Sequence, residues 1–163
     1  MRSRLVAALL ATGAAVGCGG HSASPASTAA PTPAAAPETG NHYTQQVDGY
    51  LARLASNARA QGYTRLAAGP VYGSLRDDET ATHSMDVVGG NSYALMGACD
   101  NDCTDVDLKI FDEKGVLLMQ DIAVDDTPVL TFQASGSGRY RVQVIMATCN
   151  RNPCYYGIQL LAR

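Results

Sequence analysis

Beyond Pro70 the chain is cut by clusters of Gly, Asp and Asn into short segments rich in Val, Ile, Tyr and Thr, and this punctuation restricts the fold more than any other feature. β-branched and aromatic residues suit a pleated, half-buried surface, and short segments with turn signals at near-even spacing build sandwiches or barrels. The spacing predicts eight strands over residues 71–76, 80–87, 92–98, 106–112, 116–122, 128–133, 139–147 and 155–161. Alternation is clearest where Tyr140, Val142, Val144 and Met146 point one way and Arg139, Arg141 and Gln143 the other, so one face is core and the other meets solvent. The expected class is all-β, an antiparallel β-sandwich or jelly roll of about eight strands over residues 70–163.

A different period precedes it. Between Tyr43 and Gln61 the residues Val47, Tyr50, Leu51, Leu54, Ala55 and Ala58 recur at three- and four-residue steps, which predicts one amphipathic helix within a helix-and-connector segment, 41–69. Gly62 is its expected stop, and Gly49 inside it costs about 1 kcal/mol relative to Ala. The polar face carries mixed charge rather than a basic stripe, so the helix is expected to lie on the sandwich, not on a membrane.

The first residues read as an export signal over 1–17: Arg2 and Arg4, an apolar run from Leu5 to Leu10, then small residues. The run is too short to span a bilayer. Ala15, Val16, Gly17 and Cys18 resemble a bacterial lipobox, although Ala15 stands where that pattern prefers Leu. The resemblance implies lipidation of Cys18, a membrane attachment through an N-terminal lipid anchor and, with Gly19 rather than Asp next, the outer membrane; ordinary signal-peptide cleavage into the periplasm or medium is the alternative. Residues 18–40 then form an Ala/Ser/Thr/Pro linker with no large side chain to bury, read as a disordered tether.

Of five cysteines, setting Cys18 aside leaves Cys99, Cys103, Cys149 and Cys154. An even remainder in an exported chain favours two disulfides, and gaps of three and four residues suit a structural zinc site less well than the usual two. Four cysteines allow three connectivities. Pairing Cys99 with Cys103 and Cys149 with Cys154 is the expectation, each bridge closing its own strand-to-strand loop.

From Tyr93 to Arg163 the succession CDNDCTDVDLKIFDEKG, the pair Asp125 and Asp126, and GRYRVQVIMATCNRNPCYYG resembles the pre-peptidase C-terminal domain family. That family is a β-sandwich appended to secreted bacterial peptidases and other exported proteins. The resemblance implies no catalysis of its own, and some relatives bind collagen or calcium.

Catalysis finds little material. His21 and His42 fall in or at the end of the linker, and His83 lies within a predicted strand without any hydrolase or metalloprotease signature around it. Cys99 and Cys103 each have a close partner with which to oxidise. A net charge of −3 with no basic patch argues against nucleic acid. The acids say more. In an antiparallel sandwich every second loop emerges at the same end, which collects Asp77, Asp78, Glu79, Asp100, Asp102, Asp105, Asp121, Asp125 and Asp126 at one pole beside both cysteine pairs. So many like charges invite a cation, and calcium, with six to eight oxygen ligands, is the expected one, held by Asp100, Asp102, Asp105 and Asp125 or Asp126. The stretch from Asp100 is not an EF-hand, since Asp105 stands where the Gly is needed. The competing reading is that Asp is simply a good turn residue whose carboxylate satisfies loop amides. The sequence therefore reads as a non-enzymatic, envelope-tethered binding or adhesion module with an unknown protein or glycan partner; the alternative is a structural or accessory periplasmic lipoprotein that assists a secreted peptidase or another partner.

Overall fold

The computed structural model describes residues 42–163. A single helix, α1 (His42–Ala60), precedes eight strands: β1 (Arg65–Leu75), β2 (Thr80–Val87), β3 (Ser92–Cys99), β4 (Cys103–Phe111), β5 (Leu117–Asp121), β6 (Val129–Gln133), β7 (Gly138–Cys149) and β8 (Cys154–Ala162). They form two four-stranded sheets, ordered β1-β8-β3-β6 and β2-β7-β4-β5, with every pairing antiparallel. The all-β sandwich preceded by one helix, read from the sequence, is the fold.

Between the sheets lies one core. Tyr93, Leu95, Leu108, Ile110, Tyr140, Val142, Val144, Met146, Ile158 and Leu160 are all buried in it. Strand β7 keeps strict alternation, with Tyr140, Val142, Val144 and Met146 inward. Strands β3 and β8 do not alternate, since nearly every residue in them is buried. The reason is a third layer: α1 lies on the outer face of that sheet, where Val47, Leu51, Ala55 and Ala58 pack with Ala94, Met96, Ala98 and Leu161. A strand covered on both faces reads as a continuous apolar run.

Local chemistry fixes the helix. It ends as a Schellman motif, in which the Tyr63 amide donates to the Ala58 carbonyl and the Gly62 amide to that of Arg59, with Gly62 in the left-handed region. Gly157 lets it dock: a methyl group there would meet Val47 Cγ1 at 2.8 Å and Leu51 Cδ1 at 2.9 Å. Two polar ties complete the contact. The Gln159 amide donates to the Leu51 carbonyl, and the Tyr72 hydroxyl donates to the Asp48 carboxylate. Burial, reinforced by that carboxylate, pushes the Tyr72 phenol up to about 12.

The start of β1 departs furthest from the sequence reading. Strand β1 begins at Arg65, six residues before the expected start at Val71, and runs through Pro70. Proline lacks the amide that a central strand needs, but β1 is an edge strand, and its ladder with β8 shifts register between Leu66 and Ala68 and again between Ala68 and Val71.

Candidate functional site

Four loops converge at one end of the sandwich. The Asp77 amide donates to Asn152 Oδ1, the Cys149 amide to Asp77 Oδ1 and the Asn150 amide to the Asp102 carbonyl. The Cys99 and Val106 amides donate to the carbonyls of Asp126 and Asp125. The connections β1–β2, β3–β4, β5–β6 and β7–β8 are thereby stitched together, as strand parity requires. Both disulfides sit here: Cys99–Cys103 with Cα atoms 5.9 Å apart and Cys149–Cys154 with 5.8 Å. Cys103 on β4 pairs directly with Cys149 on β7, so the bridges lie side by side, and each passes from one sheet to the other. Two disulfides mark a domain that folds outside the reducing cytosol.

Most carboxylates at this end are turned onto loop amides. Asp100, fully buried, accepts from Asp102 through Oδ1 and from Tyr155 through Oδ2. Burial raises its carboxyl above the usual range, and the amides of Tyr155, Asp102 and Cys103 pull the other way. Asp77 accepts from Cys149, Glu79 from Arg76, Asp125 from Thr127, and Asp121 from both Ala123 and Val129. Here the carboxylates stand in for backbone partners that an irregular loop lacks. Among the described residues no three of His, Cys, Asp and Glu are placed to hold a metal ion together. Asp100, expected as a ligand, is thus committed to the loop.

Asp105 differs. It is only 9% exposed, and its Oδ1 is buried without a hydrogen-bond partner. Burial pushes its carboxyl up; the Asp125 backbone amide pulls the other way, and the Asp125 charge adds to the rise. Asp107, which strand alternation set aside, joins the group. Its carboxyl is raised by burial and then by the charges of Asp105, Asp121 and Asp125, against a counteracting Lys109. Val106 and Leu108 do face the core; what the sequence did not reveal is that the β5–β6 connection passes beside Asp105 and Asp107, held by the bond from the Val106 amide to the Asp125 carbonyl.

Away from this end, His83 Nε2 is hydrogen bonded to the Tyr156 hydroxyl at 2.7 Å, half-buried between the sheets. Burial lowers the imidazole below its usual 6.5 and pushes the phenol up to about 12. Beside α1, a shallow groove of about 260 Å³ is lined by Leu54, Asn57, Ala58, Tyr63, Val129 and Thr131. No described helix is long and apolar enough to cross a membrane. The export signal, Cys18 with its expected lipidation and the linker lie outside the described residues.

No family model and no curated protein matches the chain. Solved structures resemble it in part. A periplasmic inhibitor of g-type lysozyme from Aeromonas hydrophila aligns with TM-score 0.46 and 12% identity over 60% of this chain and 88% of that one. The pre-peptidase C-terminal domain of a Bacillus anthracis collagenase aligns with TM-score 0.46 and 16% identity over 56% and 87%. A carbohydrate-binding module in complex with calcium and xylotriose gives TM-score 0.33 and 15% identity over 62% and 95%. These likenesses extend no further than the β-sandwich.

Proposed function

We propose that this chain is a non-enzymatic binding or adhesion module, tethered to the cell envelope through lipidated Cys18, that meets a protein or glycan partner with the disulfide-bearing end of its sandwich. Rigidity supports the reading. Loops carry recognition when a scaffold fixes them, and here four loops share hydrogen bonds and flank two bridges that run between the sheets. The groups that would serve catalysis have other duties: Asp100 and Asp121 hold loop amides, and His83 is turned onto Tyr156.

Calcium at this end belongs to the same proposal. The observation that carries it is the buried, unpartnered Oδ1 of Asp105 beside Asp107 and Asp125. A buried acceptor without a donor costs about 1–3 kcal/mol, and a divalent cation would supply the missing partner and relieve the crowding of like charge. Calcium suits the place better than magnesium, because it accepts irregular oxygen sets whereas magnesium demands a tight octahedron. The site so proposed keeps Asp105 and Asp125 from the sequence reading and adds Asp107. Thermal unfolding of the full chain in calcium and in chelator tests it. A higher midpoint in calcium supports the ion site, and equal midpoints leave the acids as turn acceptors alone.

A further inference from the structure

A second cavity opens beside α1, on the flank of the disulfide-bearing end. It holds about 310 Å³ and is walled by Tyr50, Arg53, Leu54 and Asn57 of the helix and by Asp126 and Thr127 of the β5–β6 connection. Leu54 and Asn57 also line the groove of about 260 Å³ described above, so the two run on as one cleft toward Tyr63. Ligand pockets commonly hold about 300–1,000 Å³, a range the polar part of the cleft enters alone.

Both walls are pinned before any ligand arrives. On the helix side the Arg53 guanidinium lies over the Tyr50 ring, 4.6 Å from its centroid. The Tyr50 hydroxyl donates to Asn101 Oδ1 at 2.6 Å, and the Asn101 amide donates to Gln46 Oε1 at 3.0 Å. On the loop side the Thr127 amide donates to Asp125 Oδ1, the Cys99 amide to the Asp126 carbonyl and the Gly97 amide to the Pro128 carbonyl. A site whose walls are already ordered loses less entropy on binding.

The polar side chains between these walls are unspent. Among the described residues the Arg53 guanidinium, the Asn57 amide, the Asp126 carboxylate and the Thr127 hydroxyl enter no hydrogen bond or ion pair, and the one ion pair is Arg139 with Asp86. A guanidinium only donates, a carboxylate only accepts, and an amide or hydroxyl does both. A simple anion drawn by Arg53 is opposed by Asp126, and a simple cation meets the reverse. Ligand hydroxyls, which donate and accept, suit all four groups at once, and each planar group can take two neighbouring hydroxyls. The rest of the cleft narrows the class further. Beyond Asn57 its lining is Ala58, Gln61, Tyr63, Ala94, Val129 and Thr131, which carries no charge. A ligand that continues there is neutral and shows apolar faces between polar edges, as the C–H faces and hydroxyl edges of linked sugar rings do.

We propose that this cleft binds a neutral oligosaccharide, one unit held through its hydroxyls by Arg53, Asn57, Asp126 and Thr127 and the next laid along the groove toward Tyr63. The inference rests on the reading of this end as a binding surface and commits its partner to a glycan. Amide NMR spectra of the isotope-labelled full chain are titrated with cellotriose, maltotriose and the trimer of N-acetylglucosamine, and with glycylglycine as a small zwitterion. At least one sugar should shift the amides of Arg53, Asn57 and Thr127. Asn57→Ala and Asp126→Asn should each weaken that sugar about five- to tenfold, the loss expected for one hydrogen bond, with unchanged far-UV circular dichroism. Neither side chain bonds to the rest of the fold, so both variants are expected to fold. Sugar affinity unchanged in both variants overturns the proposal, as does glycylglycine shifting these amides where no sugar does. Sugar shifts confined to residues 77–79 and 150–153 would overturn this cleft while keeping the loop end as the binding surface. No shift with any sugar overturns the glycan and leaves that end to a protein partner.

Discussion

Gly157→Ala isolates the docking of α1. The added methyl would lie 2.8 Å from Val47 Cγ1, 2.9 Å from Leu51 Cδ1 and 3.1 Å from Tyr72 Cδ1, all inside ordinary van der Waals contact. Val47 and Leu51 are 0% and 3% exposed and cannot turn away into solvent, and Tyr72 is tied to Asp48. The helix must therefore lift, or its side chains must leave their rotamers. Overpacking of this kind costs about 1–3 kcal/mol. For a domain of this size each kcal/mol lowers the melting midpoint by about 4 °C, so a drop of roughly 4–12 °C is expected. Circular dichroism melts measure it. Trypsin gives a second view, because Arg53 and Arg59 lie on α1 and become cleavable as the helix lifts. Val47→Ala, costly on its own, should cost less in the Gly157→Ala background, since it removes one of the colliding groups. An unchanged midpoint in Gly157→Ala would refute the claim that this glycine exists to seat the helix.

Two further predictions concern protonation and anchoring. Burial depresses the His83 imidazole below 6.5, so the unfolded chain takes up that proton first; His83 contributes its stability fully above pH 6.5 and loses it as pH falls through the folded value. Wild type should therefore lose midpoint more steeply than His83→Gln below pH 6.5, and parallel curves would count against it; the raised carboxyls of Asp100, Asp105 and Asp107 act in the opposite sense but equally in both proteins. Mass spectrometry of the mature N-terminus should find a diacylglyceryl-modified Cys18, and an unmodified start elsewhere in the linker would end the tether proposal.

The sequence revealed what depends on period and punctuation. The three- and four-residue steps from Val47 to Ala58 located α1, turn clusters located the strands, and parity brought Asp77, Asp100 and Asp125 to one end. It misplaced the start of β1 because Pro70 reads as a breaker unless the strand is known to be an edge, and edges follow from sheet order, not from local sequence. The same ignorance of sheet order hid the place of β5: LLMQD reads like any half-buried strand until the order of the described strands sets it at the end of its sheet. That the helix lies on the sandwich was expected, but not which strands form its floor: the burial of β3 and β8 on both faces, and Gly157 beneath Val47, follow from sheet order. Acid fates were least legible. Whether a carboxylate holds a cation or a loop amide depends on ångström-scale backbone paths, and Asp100 and Asp105, five residues apart, ended on opposite sides of that choice.

Calcium-dependent stability tests the account most directly. Full-length chain with its disulfides intact is melted in chelator, in magnesium and in calcium, and Asp105→Asn is melted beside it. At about one hundred times its dissociation constant, calcium should add roughly 2.7 kcal/mol, and the midpoint should rise by about 10 °C. Magnesium should raise it far less, and Asp105→Asn should lose most of the calcium response. Identical midpoints in calcium and chelator, or a full calcium shift retained by Asp105→Asn, would contradict an ion site built on the buried oxygen of Asp105.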